Sequence, residues 1–455
     1  MSLRSSTQPT LATLADDLTA GLISAEALTE ACLDAINDEG GEGKRAFVTV
    51  DREGALHQAR AADTARRANG APSRYAGIPI SIKDLFDVEG QLTQAGATVM
   101  SDSPAAKTDA PAVARLRRAG FVLIGRTNMS EFAFSGLGNN LYYGTPRAPW
   151  DRDSGRVPGG STSGGAVSVA DGMAHAALGT DTGGSCRIPA AFCGLVGYKP
   201  TARRVPLSGI TPLSPSLDSV GPLARSVACC ATLHGMLAGE LSTEIVRVTL
   251  TGLHLAIPKT FVLDGMDTEV GTAFERALSR LSAAGATIYE IDIPEFLELP
   301  SINAKGGFPA AEAYAWHKSL IEKFSDRYDP RILARILRGR EQSAADYIDL
   351  QTARSRFIAS VGKRLVDFDA LAYPTVPIVP PKILDVESDE AFAKTNVLTL
   401  RNPSVINMLD GCAVSLPMNR PGEAPCGLML AAGTGADNEL LQIAVASEAA
   451  LKAPV

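Results

Sequence analysis

The chain has 455 residues, and 43 Lys and Arg stand against 50 Asp and Glu, a formal net charge of −7. A mildly acidic balance with no dense Lys/Arg run argues against binding to nucleic acid or to an anionic membrane surface, and it suits small neutral substrates. Length alone gives a soft prior of about three domains, yet no linker-like stretch divides the chain, and seven cysteines without a CxxC pair supply neither a disulfide framework nor a zinc-site spacing.

The N-terminal run MSLRSSTQPTLATLADD lacks an uninterrupted apolar core of signal-peptide length, and no later stretch reads as a charge-free span of about 20 residues. A cytoplasmic protein is expected, its cysteines reduced thiols, the adjacent Cys229 and Cys230 among them. Residues 11–36 read as two short amphipathic helices split at Gly21 and packed on the outside, with Ser24 as N-cap of the second. Asp51 caps a helix running to about Arg67, after which Gly70, Pro72 and Gly77 punctuate the approach to IPISIK, an alternating apolar strand over 78–83 that ends in a lysine. A helix follows over 112–119, a strand over 121–125, a helix after Gly165 and a strand over 174–179. Further strands are predicted over 255–258, 287–291, 370–373 and 412–416, and mainly helical stretches over 312–324, 330–338 and 344–366. The alternation favours a layered α/β sheet over an all-α or all-β fold. Neither an internal repeat nor a low-complexity tail is present.

Two glycine-rich runs each carry a serine. Between Gly179 and Gly194 the chain reads GTDTGGSCRIPAAFCG, and Ser161, in PGGSTSGGA, stands 24 positions before its Ser185. Glycine reaches conformations that a side chain blocks, so a turn through Thr182, Gly183, Gly184 and Ser185 lets their N–H groups converge as an oxyanion requires. Lys83, followed by Asp84, is a candidate base. Serine is a weak nucleophile that needs one, and the five histidines, at 57, 175, 234, 254 and 317, are scattered outside any motif. A lysine can serve only when neutral, which burial achieves by lowering its pKa from about 10.4; Ser-Lys variants of the triad are an established solution.

Blander readings stand beside these. Gly159 to Gly165 alone reads as a tight turn opening a helix, with Thr162 and Ser163 as loop hydrogen-bond donors, and the P-loop order G-x-x-x-x-G-K-[ST] is absent. Asp181 and Arg187 read as a pair that anchors the loop, Asp84 as structural, and Cys186 as a buried inert thiol. Phe132, Phe134, Tyr142 and Tyr143 either line an acyl pocket or pack in the core.

Taken together, these stretches resemble the amidase signature family of serine hydrolases. The Ser185 segment and PGGSTSGGA are its most specific part, the 24-residue spacing matches the separation of its two serines, and Lys83 in GIPISIKDLFDVEG falls on its catalytic lysine. GRTNMSEFAF (125–134), LDSVGPLARS (217–226) and DALAYPTVPIVPP (369–381) support the match, which is strong to about Ser226 and looser beyond. The chain departs from the pattern at Ser130, where relatives often have Asp, at GCAVSLP (411–417), which lacks the usual proline, and at Cys186, where isoleucine is common.

The resemblance implies one compact α/β domain over 1–455, a large mixed β-sheet sandwiched between α-helices, with a helical segment of about 9–37 packed on it. It implies Lys83 as base, Ser161 as proton relay held by a cis peptide with Gly160, and Ser185 as nucleophile. The amides of Thr182, Gly183, Gly184 and Ser185 form the oxyanion hole, Ala133 and Phe134 contact substrate, and neither metal nor organic cofactor is needed. The expected reaction is hydrolysis of the C–N bond of a linear amide, with aryl amides, carbamates and esters accessible to the same site. The expected partner is a small-molecule amide or carbamate, with no nucleic acid and no membrane, in a monomer or homodimer.

Other readings are a glutamine-amidase subunit of a tRNA amidotransferase, which usually has the TNMDEF form, and an inactive binding module on the same fold, which would be expected to lose Lys83 or a serine. An allophanate hydrolase commonly carries a further C-terminal domain, for which nothing remains after the family-like end near Ala450. Substrate choice is placed on the loop after Asn128 and on residues 308–340, with Phe132, Phe134, Tyr142 and Tyr143 on one side and Phe308, Tyr314 and Trp316 on the other. No Arg or Lys cluster is expected near the first loop, so neutral apolar or aromatic amides and carbamates are expected over glutamine, with Arg331 or Arg335 the residues to consider for a charged substrate.

Overall fold

In the computed structural model, which describes residues 9–240, 246 and 248–453, eleven strands pair into one sheet. They are β1 (Phe47–Val50), β2 (Pro79–Lys83), β3 (Val122–Thr127), β4 (Ala176–Asp181), β5 (Val196–Lys199), β6 (Ser219–Ala224), β7 (His254–Pro258), β8 (Thr287–Ile291), β9 (Ala370–Pro374), β10 (Cys412–Pro417) and β11 (Gly427–Ala432). Their order across the sheet is β1-β3-β2-β4-β6-β5-β10-β11-β9-β7-β8. β2 runs parallel to both β3 and β4, and β7 parallel to β8 and β9; the other pairs are antiparallel.

Successive side chains of a strand point to opposite faces, and here the two faces meet different cores. Ala370, Ala372, Val414, Leu428 and Leu430 belong to one apolar cluster, whereas Leu371, Tyr373, Ala413, Met429 and Ala431 belong to another. A sheet covered on both faces needs apolar residues at every position rather than every second one. That is why β2 and β4 are buried along their whole length. Together these layers form a single α/β domain.

The N-terminal helices Leu11–Thr19 and Ala25–Asn37 lie where the sequence puts them, and Ser24 Oγ accepts from the Ala27 N–H as N-cap. They insert Leu11, Leu14, Leu18 and Leu33 into the main core rather than resting loosely outside it. Asp51 caps Arg52–Arg67 through the Gly54 N–H. Elements not foreseen include β1, β5, β6 and β11 and the helices Arg187–Cys193, Val227–Ala238, Thr268–Ala283, Asp389–Met408 and Asp437–Lys452. β6 contains Pro222 and the helix Asp389–Met408 contains Pro403, each a residue that reads against its element from sequence alone. No helix among the described residues is long and apolar enough to cross a membrane.

One glycine sets the distance between layers. The helix Ser163–Ala170 lies against β4, and a Cβ on Gly179 would stand 2.8 Å from Thr162 Oγ1 and 3.2 Å from Cys186 Sγ. Gly179→Ala therefore overpacks the seam between the two serine-bearing loops, at a cost of about 1–3 kcal/mol. Urea unfolding of the variant should show that loss with an unchanged m-value.

Candidate active site

The carboxyl ends of parallel strands are where open α/β sheets gather ligands, and two such ends meet here. β2 delivers Lys83 as its last residue, and its parallel neighbour β4 runs through Thr180 and Asp181 into the Thr182–Ser185 loop. Ser161 comes from the loop that opens the helix Ser163–Ala170, after a cis peptide between Gly160 and Ser161. Lys83 Nζ donates to Ser161 Oγ at 2.7 Å and to Thr180 Oγ1 at 3.0 Å. Lys83 and Ser161 are wholly buried, whereas Ser185 lines the floor of a cavity of about 350 Å³.

Removing an ammonium from water disfavours its charged form. Burial takes Lys83 from its usual 10.5 to about 8, although Cys186, Asp181 and Asp218 pull the other way. Among the described residues no histidine lines the cavity. Cys186 is buried and its thiol is pushed up by that burial, the inert state foreseen for it.

The Thr182–Ser185 loop is held from below by Asp181. Its carboxylate accepts from Arg187 Nε at 3.0 Å, Arg187 Nη2 at 2.8 Å, Asn407 Nδ2 at 3.0 Å and the backbone N–H groups of Gly184 and Cys186 at 2.9 and 3.1 Å. Burial alone would push Asp181 up, but the Arg187 guanidinium and these donors hold it well below the usual carboxylate range. One expectation is corrected here: the Gly184 N–H is committed to Asp181, so the free donors of the loop are the amides of Thr182, Gly183 and Ser185. Gly184 keeps a different role. Its φ is +124°, and a Cβ on it would stand 2.6 Å from Ile188 and 2.7 Å from Pro403, so the position admits only glycine.

Neither Asp218 nor Thr180 stands out in the sequence. Thr182 Oγ1 donates to Asp218 Oδ1, and Asp218 Oδ2 accepts from the N–H groups of Leu213 and Ser214, each at 3.1 Å. The signal that could have found Asp218 is the LDSVGPLARS stretch, in which it is the one carboxylate. Asp84, read as structural, is buried against Arg126 and accepts the Gly96 N–H at 3.1 Å.

Ala133 and Phe134 line the cavity, but the other aromatic expectations are corrected. Phe132 and Ala133 both have positive φ, 48° and 59°, and this reversal turns Phe132 inward onto Trp316, His317 and Tyr328 while Ala133 and Phe134 face the cavity. Tyr142 donates its hydroxyl to the Arg327 carbonyl at 2.9 Å and Tyr143 accepts from Gln94 at 2.9 Å, both away from the cavity. Phe308 is core, edge-on to Tyr347, and neither Tyr314 nor Trp316 reaches the cavity. The apolar wall is instead aliphatic: Leu213, Leu217, Leu299, Leu400 and Met408, with Phe261. One cation stands beside the first loop, the Arg335 guanidinium lying 4.6 Å from the Phe134 ring centroid. Among the described residues no group of three or more His, Cys, Asp or Glu side chains could hold a metal ion.

A family model described as Amidase matches residues 27–441. The chain is 35% identical over 407 residues, 89% of its own length and 88% of the relative's, to 2-amino-5-chloromuconic acid deaminase of Comamonas testosteroni. It is 34% identical over 475 aligned positions, 96% of its length and 95% of the relative's, to a subunit of the glutamyl-tRNA(Gln) amidotransferase of Chromohalobacter salexigens. A crystal structure of an amidase superposes with a TM-score of 0.87 at 32% identity, covering 97% of this chain and 99% of that one. The chain belongs to the amidase signature family and is an amidohydrolase.

The Asp181–Arg187 pair generates a test of stability. Both side chains are fully buried, and removing one partner of such a pair leaves the other charged without compensation, at about 3–5 kcal/mol. Arg187→Ala should lower the unfolding free energy by that amount at pH 7, measured by urea titration, while the exposed-pair variant Lys305→Ala should change it by less than about 1 kcal/mol.

Proposed function

We propose that the chain hydrolyses linear amides through an acyl-enzyme on Ser185, with Lys83 as base and Ser161 as the relay between them. The observation that carries this reading is the buried 2.7 Å contact between Lys83 Nζ and Ser161 Oγ, in a loop whose Thr162 N–H donates to the carbonyl of the cavity-lining Ser185 at 3.3 Å. With Nζ neutral, that contact runs in the useful direction, Ser161 O–H donating to the amine. A base whose pKa lies near the working pH combines availability with driving force.

Ser185 Oγ attacks the carbonyl carbon and passes its proton to Ser161, whose own proton moves to Lys83. The new oxyanion takes hydrogen bonds from the free amides of Thr182, Gly183 and Ser185, donors fixed in place before the reaction begins. Thr182 is oriented by its bond to Asp218, and the loop as a whole by Asp181. When the C–N bond breaks, Ser161 returns a proton to the nitrogen and regains one from Lys83. An amide nitrogen leaves poorly without that proton, which is why a relay aimed at it suits amides as well as esters. Water then repeats the cycle on the ester of Ser185 and releases the acid.

Aliphatic and aryl amides are the substrates proposed, with carbamates and esters open to the same chemistry. The two relatives named above act on different molecules, so substrate choice rests on the cavity wall rather than on the serine loops. A panel of primary amides, anilides and aryl carbamates assayed with the purified chain alone tests the reading, because turnover without a partner separates an independent hydrolase from one that works only inside an amidotransferase complex and from an inactive module. Ser185→Ala and Lys83→Ala should each reduce kcat by about 10³-fold or more with the fold retained; activity within a few-fold of the parent in either would overturn its assigned role.

The pH profile supplies a second check. Below its pKa Lys83 carries a proton and cannot accept another, so kcat/KM should climb with pH and level off above an apparent pKa of about 8. A rate that is flat from pH 6 to about 9 would exclude Lys83 as the base.

A further inference from the structure

Two carboxylates share one turn beside the cavity. Residues 211–218 read TPLSPSLD, and the turn they form puts Leu213 and Leu217 into the cavity wall before the chain enters β6. Pro212 and Pro215 have no N–H, so few backbone donors remain, and each one from Leu213 to Asp218 is committed. Leu213 and Ser214 donate to Asp218 Oδ2, Leu217 and Asp218 donate to the Ser214 carbonyl at 2.8 and 2.7 Å, and Ser216 donates to Glu312 Oε2 at 3.1 Å.

Glu312 lies on the helix Gly307–Phe324, outside the cavity. Its carboxylate also accepts from the hydroxyls of Ser214 and Tyr347, each at 2.6 Å, and from that of Ser216. None of these four donors is a cation. Tyr347 belongs to the helix Ala344–Arg364, from which Arg354 Nη1 donates to the Ser216 carbonyl at 3.0 Å. Hydrogen bonds to a charged acceptor are stronger than neutral ones, and here they fasten the turn to two helices at Ser214 and Ser216.

Through its second carboxylate the same turn reaches the oxyanion loop. Asp218 Oδ1 accepts from Thr182 Oγ1, and the next residue, Ser219, donates its hydroxyl at 2.8 Å to the Asp181 carbonyl. That carbonyl and the Thr182 N–H belong to one peptide unit. A hydrogen bond accepted at one end of a peptide polarises the donor at the other, so Asp218 and Ser219 together set the direction and strength of the first oxyanion donor. A turn released at Ser214 lets both of them shift.

We propose that Glu312 is a positioning residue for the oxyanion hole, acting through Ser214 and Asp218 on the Thr182 amide. The inference rests on the acyl-enzyme reading at Ser185. Its consequence is that a helix contributing no reacting group governs the rate of attack.

The test uses the best alkanamide of a chain-length series and the alkylboronic acid in which boron replaces its carbonyl carbon. Boron takes the Ser185 oxygen and places one of its own oxygens where the oxyanion forms. Glu312→Ala should lower kcat by about 10–100-fold, less than the loss of a whole oxyanion donor, and weaken boronate inhibition by a similar factor. Adding Glu312→Ala to the Ser185→Ala enzyme should change the Kd of the amide by less than about threefold, because a planar carbonyl gains little from that donor before attack. Glu312→Gln keeps the side-chain volume and one acceptor oxygen; it should recover part of the loss, and it answers the same question if Glu312→Ala does not fold. Asp218→Ala should reproduce the loss, and the two changes together should not add, as expected of residues acting in series. A merely structural carboxylate would lower the unfolding free energy and leave kcat and boronate affinity of the folded enzyme unchanged, which overturns the proposal. Equal weakening of boronate and amide, the mark of an altered acyl wall alone, overturns it too. If the parent neither cleaves an alkanamide nor is inhibited by the boronate, the acyl-enzyme reading fails and this inference with it. Inhibition of the parent that Glu312→Ala leaves untouched sinks this inference and leaves that reading standing.

Discussion

A carboxylate and a guanidinium that never see water hold the site together. Asp181 ends β4, Arg187 begins the helix Arg187–Cys193, and the five residues between them form the loop that carries Ser185. Because the ion pair closes across that loop, the chain must turn tightly, and Asp181 uses its remaining acceptor capacity on the Gly184 and Cys186 amides. Arg187 spends its other donors on the Pro403 carbonyl at 3.0 Å and Asn407 Oδ1 at 2.7 Å. The late helix Asp389–Met408 is thereby fixed to the middle of the sheet, and with it Leu400 and Met408 in the cavity wall. Charges this deep are costly unless their donors and acceptors are met, and the bonds that meet them tie the loop to the helix behind it.

Lys83 illustrates the opposite use of burial. Arg187 has a carboxylate in contact; Lys83 has only hydroxyls, those of Ser161 and Thr180. Two neutral acceptors stabilise an ammonium less than a carboxylate does, so desolvation prevails and the amine is driven toward neutrality. The sheet thus keeps one buried cation charged for structure and brings its neighbour close to losing its proton.

The cavity is assembled from segments far apart in sequence. Ala133 and Phe134 come from the loop after β3, Leu213 and Leu217 from the approach to β6, Leu299 and Arg335 from the helical insertion, and Leu400 and Met408 from the helix Asp389–Met408. None of these segments is apolar enough or regular enough by itself to announce a binding surface. The aromatic residues that do stand out in the sequence, Phe132, Tyr142, Tyr143, Phe308, Tyr314 and Trp316, go to the core or to the surface instead. The family resemblance pointed to Ala133 and Phe134, and two consecutive positive φ angles decided which side chains of that loop face the cavity.

Local chemistry was legible along the chain. Glycine-serine runs specify backbone shapes that few other residues permit, so the two serine loops, Lys83 at the end of an apolar strand, the caps at Ser24 and Asp51, and most strands and helices with clear periodicity were legible. Asp181 and Arg187 were legible as a pair because six positions separate them across a turn. Tertiary structure decided everything that depends on long-range packing: β6 with its proline, the helix broken in appearance by Pro403, the edge and central strands whose apolar runs were too short to stand out, and the commitment of the Gly184 amide to Asp181 rather than to an oxyanion. It also decided that Arg335 stacks on Phe134 with no acidic partner among the described residues. A side chain's partners are set by which elements pack against its own, and no spacing along the chain encodes that.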